Sequence, residues 1–278
     1  MNSDISAIIL TKNEVCNLKR CTDSLQWCQE IIVVDSGSND GTIQLAESLG
    51  AQVFVHIQPL PYLAAKQRNW ALRNTNIKGE WVLFIDADEV IPLNLAREIQ
   101  LICSSNNNQY NAFKLTPRYL FWGKWLKRTQ GYPNWHDRLL KKGEVEFADG
   151  GYWEHFTDDA SIGKIDIPFD HFANSKGTSD WLERHDRYSS WDAQKIVDFL
   201  ETGKLESLGT QNKIRLRVIA AKFWFLRPIA RFVQMYFLRL GFLEGITSLV
   251  FCSLYAMYEF MIVIKIIEIK RKKDNLPL

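Results

Sequence analysis

Leu83-Phe84-Ile85-Asp86-Ala87-Asp88-Glu89 is the stretch that decides the fold. Trp81 to Ile85 is wholly apolar and short, as a buried strand is. It stops abruptly at carboxylates. Asp86 and Asp88 are two residues apart, so on an extended segment both point the same way. Both can then approach one hard cation. Mg²⁺ or Mn²⁺ takes one or two carboxylates plus substrate phosphates and keeps some waters. Such an ion stabilises a departing diphosphate as a Lewis acid. The competing reading is that these acids only end a strand as solvated turn residues. Their position after an apolar strand in a strand–helix series favours chemistry.

Upstream, the same alternation repeats. Ile5 to Leu10 and Ile31 to Val34 read as buried strands, and Gln52 to His56 as a third. Val15 to Trp27, Thr42 to Leu49 and Ala64 to Arg73 read as helices between them, and Leu93 to Cys103 as the next helix. Strands alternating with helices imply a parallel sheet covered on both faces, an α/β fold. Ligands of such sheets lie beyond the carboxyl ends of the strands. Segments 11–14, 35–41 and 86–89 all begin at such ends and are expected to converge. Asp35 can accept hydrogen bonds from a base or ribose, or serve only its turn. Asp40, before Gly41-Thr42, reads as a helix cap. Lys66 and Arg68 can neutralise phosphates or face solvent. Neither GxxxxGK[ST] nor GxGxxG is present, which disfavours P-loop hydrolysis and dinucleotide binding.

From Tyr110 to about Ile167, aromatic strand-like pieces (Ala112 to Thr116, Tyr119 to Trp125, Glu144 to Phe147) suggest a mixed extension of the sheet. Ser179 to Leu200 reads as a helix. The five histidines lack HExxH spacing, and singly each reads as structural. His155 is the exception carried forward, because it adjoins Glu154 in a Gly-rich, aromatic context.

The 278 residues carry a net charge of +2 that is unevenly spread. From Asn212 to Leu278 there are 12 Lys and Arg against 4 Asp and Glu, which points to an anionic partner. Ile246 to Ile267 is nearly all apolar, with Glu259 and Lys265 inside it and Lys270-Arg271-Lys272-Lys273 after it. A span needs about 20 apolar residues. The internal charges and the basic, aromatic segment before them fit a surface-lying element better. No nucleic-acid-binding module is recognisable. Five cysteines without a CxxC pair suggest free thiols in a reducing cytosol. Met1 to Ser6 runs straight into a strand, so no signal peptide is expected.

Ile8-Ile9-Leu10-Thr11-Lys12-Asn13-Glu14, Val33 to Thr42, Arg68-Asn69 and Leu83 to Glu89, taken in order, resemble family 2 glycosyltransferases, closest to the lipopolysaccharide-core β-glucosyltransferase branch. The likeness continues more weakly through Arg138 to Gly143, Trp181 to Ala193, Arg227-Pro228 and Leu240 to Gly245. It implies a GT-A fold over residues 1–212, with a helical membrane-associating region over 213–278. It also implies a nucleotide-sugar donor such as a UDP-sugar, Mg²⁺ or Mn²⁺, and inversion at the anomeric carbon. Thr11 and Glu14 would then line the nucleotide pocket, and Asp35 would contact the nucleoside. Asp86 and Asp88 would form the Asp-x-Asp element, with Asp88 the direct metal ligand. The base that takes the acceptor proton is the acid of a His-Glu pair in that branch. Here the order is reversed, Glu154-His155. Glu154 is the first candidate, Asp137 the second, and His155 a candidate contact for metal or phosphate.

The resemblance further implies an acceptor that is a glycan or lipid-linked saccharide in cell-envelope synthesis. The enzyme would be cytoplasmic, held peripherally on the inner face of the membrane by its C-terminal helices. Three rivals share features. A haloacid-dehalogenase-type phosphatase also places Asp-x-Asp after an apolar strand, but in its first strand. A nucleotidyltransferase uses a similar sheet and releases pyrophosphate. A non-catalytic membrane partner would be expected to have lost its acids.

Overall fold

The computed structural model describes residues 4–59, 62–105, 109–148, 155–205 and 214–278. The chain divides into two compact units, one of residues 1–120 and 132–175, the other of residues 121–131 and 176–278. The long helix Gly177–Thr202 falls wholly in the second unit. It packs with the C-terminal helix Gly245–Lys273.

The first unit is built on β1 (Ile5–Thr11), α1 (Val15–Asp23), β2 (Glu30–Asp35), α2 (Thr42–Ser48), β3 (Gln52–Val55), α3 (Ala64–Asn74), β4 (Trp81–Asp86), β5 (Glu89–Val90), α4 (Leu93–Cys103) and β6 (Ala112–Phe121). A two-residue strand, β7 (Lys124–Trp125), belongs to the second unit. β8 (His136–Lys141) and β9 (Ile162–His171) complete the first. The sheet runs β3-β2-β1-β4-β8-β6-β9-β5. β3, β2, β1 and β4 are parallel, and β8 is antiparallel to β4. This is the α/β GT-A-type arrangement of a largely parallel sheet with a mixed extension.

Alternation along β1 sorts its side chains between two cores. Ile5, Ala7 and Ile9 join Leu18, Cys21, Ala46, Leu95 and Ile99 on the face covered by α1, α2 and α4. Ile8 joins Ile32, Phe84, Ala65 and Ala71 on the face covered by α3. Burial on both faces explains why these strands are nearly unbroken apolar runs. The chain leaves β1 on one side towards β2 and returns on the other as β4. The carboxyl ends of β1 and β4 therefore flank a topological switch point, where such sheets bind ligands.

The mixed half differs from expectation. Ala112 to Thr116 and Tyr119 to Phe121 form one strand, β6, with a register shift against β9 between Leu115 and Pro117. Glu144 to Phe147 is not a strand; it contributes only an isolated bridge between Phe147 and Phe156. The strands β8 and β9, which carry charged residues at many positions, had no apolar signature to announce them.

In the second unit, α5 (Gly177–Thr202) packs against α8 (Gly245–Lys273). Between them come α6 (Ile214–Lys222), α7 (Arg227–Phe232), a π-helical turn (Val233–Leu238) and a 3₁₀ turn (Gly241–Glu244). Ala193, Ile196, Val197 and Phe199 of α5 share a core with Ile262 and Ile266 of α8. His185 lies in this unit stacked on Trp181, with ring centroids 3.7 Å apart. Burial lowers its pKa to about 4. The unfolded imidazole binds a proton near 6.5, so the unfolded state gains protons first as pH falls. The stability His185 contributes is intact above about 6.5 and is lost towards pH 4. His185→Phe is expected to flatten the pH dependence of the thermal midpoint across that window; an unchanged slope would remove His185 from the acid response.

Candidate active site

Two loops interlock at the carboxyl ends of β1 and β2. Asp35 is fully buried, and its carboxylate accepts four hydrogen bonds. Oδ1 takes the backbone N–H groups of Gly37 (2.8 Å) and Ser38 (2.6 Å). Oδ2 takes the hydroxyls of Thr11 (2.7 Å) and Ser38 (2.6 Å). The tight turn requires Gly37 at φ +83°, a conformation that glycine adopts without a Cβ clash. Ser38 Oγ also accepts from the Asn13 N–H at 2.7 Å, and Thr42 Oγ1 from the Glu14 N–H at 2.8 Å. The Glu14 carboxylate accepts from Asn17 Nδ2 at 2.8 Å. The three expected nucleotide-site residues Thr11, Glu14 and Asp35 are thus brought together. Asp35, with its acceptor positions occupied, builds the floor of the loop. Asp40 accepts from the Thr42 N–H at 3.0 Å, but the N-cap of α2 is Gly41, so Asp40 closes the turn ahead of the helix and is not its cap.

On the other side of β1 lies the acidic turn. Asp86, at the end of β4, is gripped by two arginines. Arg138 Nη2 donates to its Oδ2 at 2.9 Å, and Arg68 Nη2 approaches its Oδ1 at 3.4 Å. Arg68 is fully buried, its guanidinium lying over the rings of Phe84 and Phe147 and donating to the Asp137 carbonyl at 3.2 Å. Lys66, two residues away, is exposed. Burial works to raise the Asp86 carboxyl, but Arg138 and Arg68 outweigh it, and the pKa falls well below the usual carboxylate range. Arg138 also bonds Glu89 Oε1 at 2.6 Å, while Glu89 Oε2 accepts the Asp86 N–H at 2.9 Å. Glu89 is fully buried; burial, reinforced by Asp86 and opposed by Arg138, pushes its pKa up to about 8.

Asp88 meets a residue that local pattern did not single out. β5 pairs antiparallel with β9, which sets Glu89 opposite His171. The Phe172 N–H donates to the Asp88 carbonyl at 2.9 Å, fixing the register. His171 Nε2 then lies 3.4 Å from Asp88 Oδ2, and its ring leans on Tyr119. Burial alone would lower the imidazole; Asp88, Glu89 and Asp86 outweigh it and raise the pKa to about 9. Nearby, burial and then Arg138 hold His136 down to about 3.

A divalent ion on this pair would have to displace the proton that Asp88 holds on His171, because a ligating imidazole is deprotonated. Two donors in adjacent positions of an octahedral ion, each at about 2.1 Å, lie about 3 Å apart. Among the described residues no group of three or more His, Cys, Asp or Glu is placed to hold a metal. An ion on Asp88 and His171 would therefore draw its other ligands from water and phosphate, the usual habit of Mg²⁺. Asp86, committed to two arginines, is placed to orient the turn rather than to serve as a free nucleophile.

Asp137 is engaged by partners of its own. It is buried and accepts the Phe156 N–H at 2.5 Å, with Lys114 Nζ 3.0 Å away. A carboxylate enclosed by these partners presents no open face to an acceptor. Glu154 lies outside the described residues, and His155 is exposed.

Residues 6–156 match the family model "Glycosyl transferase family 2". A Rickettsia bellii protein called an uncharacterized glycosyltransferase is 30% identical over 277 residues, covering 97% of this chain and 88% of that one. The lipopolysaccharide core biosynthesis glycosyltransferase LpsC of Rhizobium meliloti is 39% identical over 87 residues, covering 31% of this chain and 32% of LpsC. A solved glucosyl-3-phosphoglycerate synthase of Mycobacterium tuberculosis, in complex with Mn²⁺, UDP and phosphoglyceric acid, is 22% identical over 50% of this chain and 55% of that one, with a TM-score of 0.36. The chain belongs to glycosyltransferase family 2. It is an enzyme that transfers a sugar from a nucleotide-sugar donor, and the phosphatase, nucleotidyltransferase and non-catalytic readings fall away.

Proposed function

We propose that the enzyme moves a hexose, with inversion, from a UDP-sugar to a lipid-linked saccharide in cell-envelope glycan synthesis, on the inner face of the membrane. The observation that carries the reading is Asp88 facing His171 beside an Asp86 clamped by Arg68 and Arg138. Asp88 and His171 would hold Mg²⁺ or Mn²⁺, which neutralises charge on the departing diphosphate. The loops around Thr11, Glu14 and Asp35 seat the nucleoside. Glu154 takes the proton of the attacking hydroxyl, which must approach in line with the leaving group. The partial match to LpsC supports a saccharide acceptor of the envelope. The basic C-terminal region supports the membrane placement.

The deciding experiment incubates the purified enzyme with a panel of nucleotide sugars, with and without Mn²⁺. Release of a nucleoside diphosphate from one donor, dependent on the ion, is expected and names the sugar. Folded protein that binds no nucleotide sugar would sink the donor assignment. Glu154→Gln is expected to slow transfer by about 100-fold or more, the usual worth of a general base, with donor affinity kept. Full activity in that variant would return the base to another residue.

A further inference from the structure

We propose that the second unit docks on anionic lipid through one apolar ridge, residues 223–246, and that α8 does not cross the bilayer. This rests on the membrane placement proposed above and names the surface responsible for it. Phe225, Ile229, Phe237, Leu238, Leu243 and Ile246 all project into solvent, Leu238 at 76%, Ile246 at 69% and Ile229 at 66% exposure. Scattered exposed leucines are ordinary on soluble proteins. A run of this length along successive broken helical turns is not, and such patches mark interaction surfaces.

Two observations identify the occupant. The second unit carries 20 Lys and Arg against 11 Asp and Glu, a net +9, while the first unit is −7. Exposed Lys222 adjoins the ridge, while Arg231 and Arg239 within it are half-buried, bonded to Glu259 and to the Thr129 carbonyl. Long basic side chains beside an apolar face can reach headgroups while their stems lie along hydrocarbon. A second copy of this surface would set +9 against +9, which disfavours self-association.

The composition of α8 alone would permit a span: residues 241–273 have a mean hydropathy of 1.8 in their most apolar window. Its neighbours forbid it. Glu259, in mid-helix, is buried and accepts from Arg227 Nε at 2.7 Å and Arg231 Nε at 3.1 Å. Lys265 binds Asp186 at 2.6 Å, and the Tyr258 hydroxyl donates to Asp192 at 2.6 Å. A spanning α8 would have to break these pairs or drag α5, with exposed Glu183, Arg187 and Glu201, into hydrocarbon. The helix is the strut on which the ridge is mounted.

The test is co-sedimentation of the full-length enzyme with phosphatidylcholine vesicles, with and without phosphatidylglycerol. Salt-sensitive binding to the anionic vesicles is expected. Leu238→Glu combined with Ile246→Glu should weaken it at least tenfold at an unchanged thermal midpoint. Ile229→Glu serves as the second variant if the pair impairs folding. Equal binding by a folded ridge variant, or a wild-type enzyme indifferent to anionic vesicles, overturns the proposal. So does a dimer in ultracentrifugation that the ridge variant dissolves, which would assign the ridge to a second copy. Resistance of the membrane-bound enzyme to alkaline carbonate would show that α8 spans. Donor hydrolysis is measured in parallel without lipid. Its loss with docking intact would fault the catalytic reading alone, and lost docking with hydrolysis intact would fault only the ridge.

Discussion

Asp88→Ala is expected to lower turnover by about 1,000-fold, the scale seen when a preorganised electrostatic contact to developing charge is removed. The reasoning is geometric. Of the two carboxylates of the Asp-x-Asp, Asp86 is held by Arg68 and Arg138, whereas Asp88 faces His171 across 3.4 Å. Only the second arrangement presents two donors to one ion. Removing Asp88 leaves the imidazole as a single neutral ligand, too little to hold a hard cation that prefers oxygen. The loss should appear chiefly as weakened Mn²⁺ binding, measurable by the paramagnetic signal of the free ion, with the fold preserved because Asp88 is partly exposed. His171→Ala should weaken Mn²⁺ in the same direction by about 10- to 100-fold. An Asp88→Ala enzyme with wild-type turnover would move the metal elsewhere.

The parallel half of the sheet was legible in the sequence because β1, β2 and β4 are buried on both faces and read as apolar runs ended by Asp or Thr. The loops at their ends supplied Thr11, Glu14, Asp35, Asp86 and Asp88. The mixed half was not legible. β8 reads His136-Asp137-Arg138-Leu139-Leu140-Lys141, half polar, because Asp137 and Arg138 are buried only through specific partners. Its contribution to the site, Arg138, is visible once the strand lies beside β4. His171 owes its role to the β5–β9 pairing, a non-local contact that no window of sequence contains. Asp137, the second candidate base that the resemblance offered, gave no local sign of its surroundings. Its bonds to Lys114 and Phe156 are again long-range. Local chemistry thus announced the acids, and tertiary pairing supplied the cations and the imidazole that give those acids different roles.

Arg138→Met is expected to destabilise the first unit by about 3–5 kcal/mol, the cost of leaving buried carboxylates uncompensated. Arg138 is almost wholly buried, and a single nitrogen, Nη2, bridges Asp86 at 2.9 Å and Glu89 at 2.6 Å. Methionine matches the stem and can still pack against Phe169, over which the guanidinium now lies at 5.6 Å. What it removes is therefore charge and hydrogen bonding rather than volume. Glu89, with no exposure, has no route to water; without the guanidinium that opposes its burial, its pKa rises further and it is locked in the protonated form or rearranges. Either response loosens the turn, since Glu89 Oε2 is what holds the Asp86 N–H. The thermal midpoint should fall by many degrees, and Glu89→Gln added to Arg138→Met should recover part of the loss. A coupling of about 1 kcal/mol or more between the two substitutions is expected for residues in one network. Strict additivity would show that Arg138 and Glu89 act separately. A single variant as stable as wild type would mean that the carboxylates of the turn do not need the arginine to stay folded.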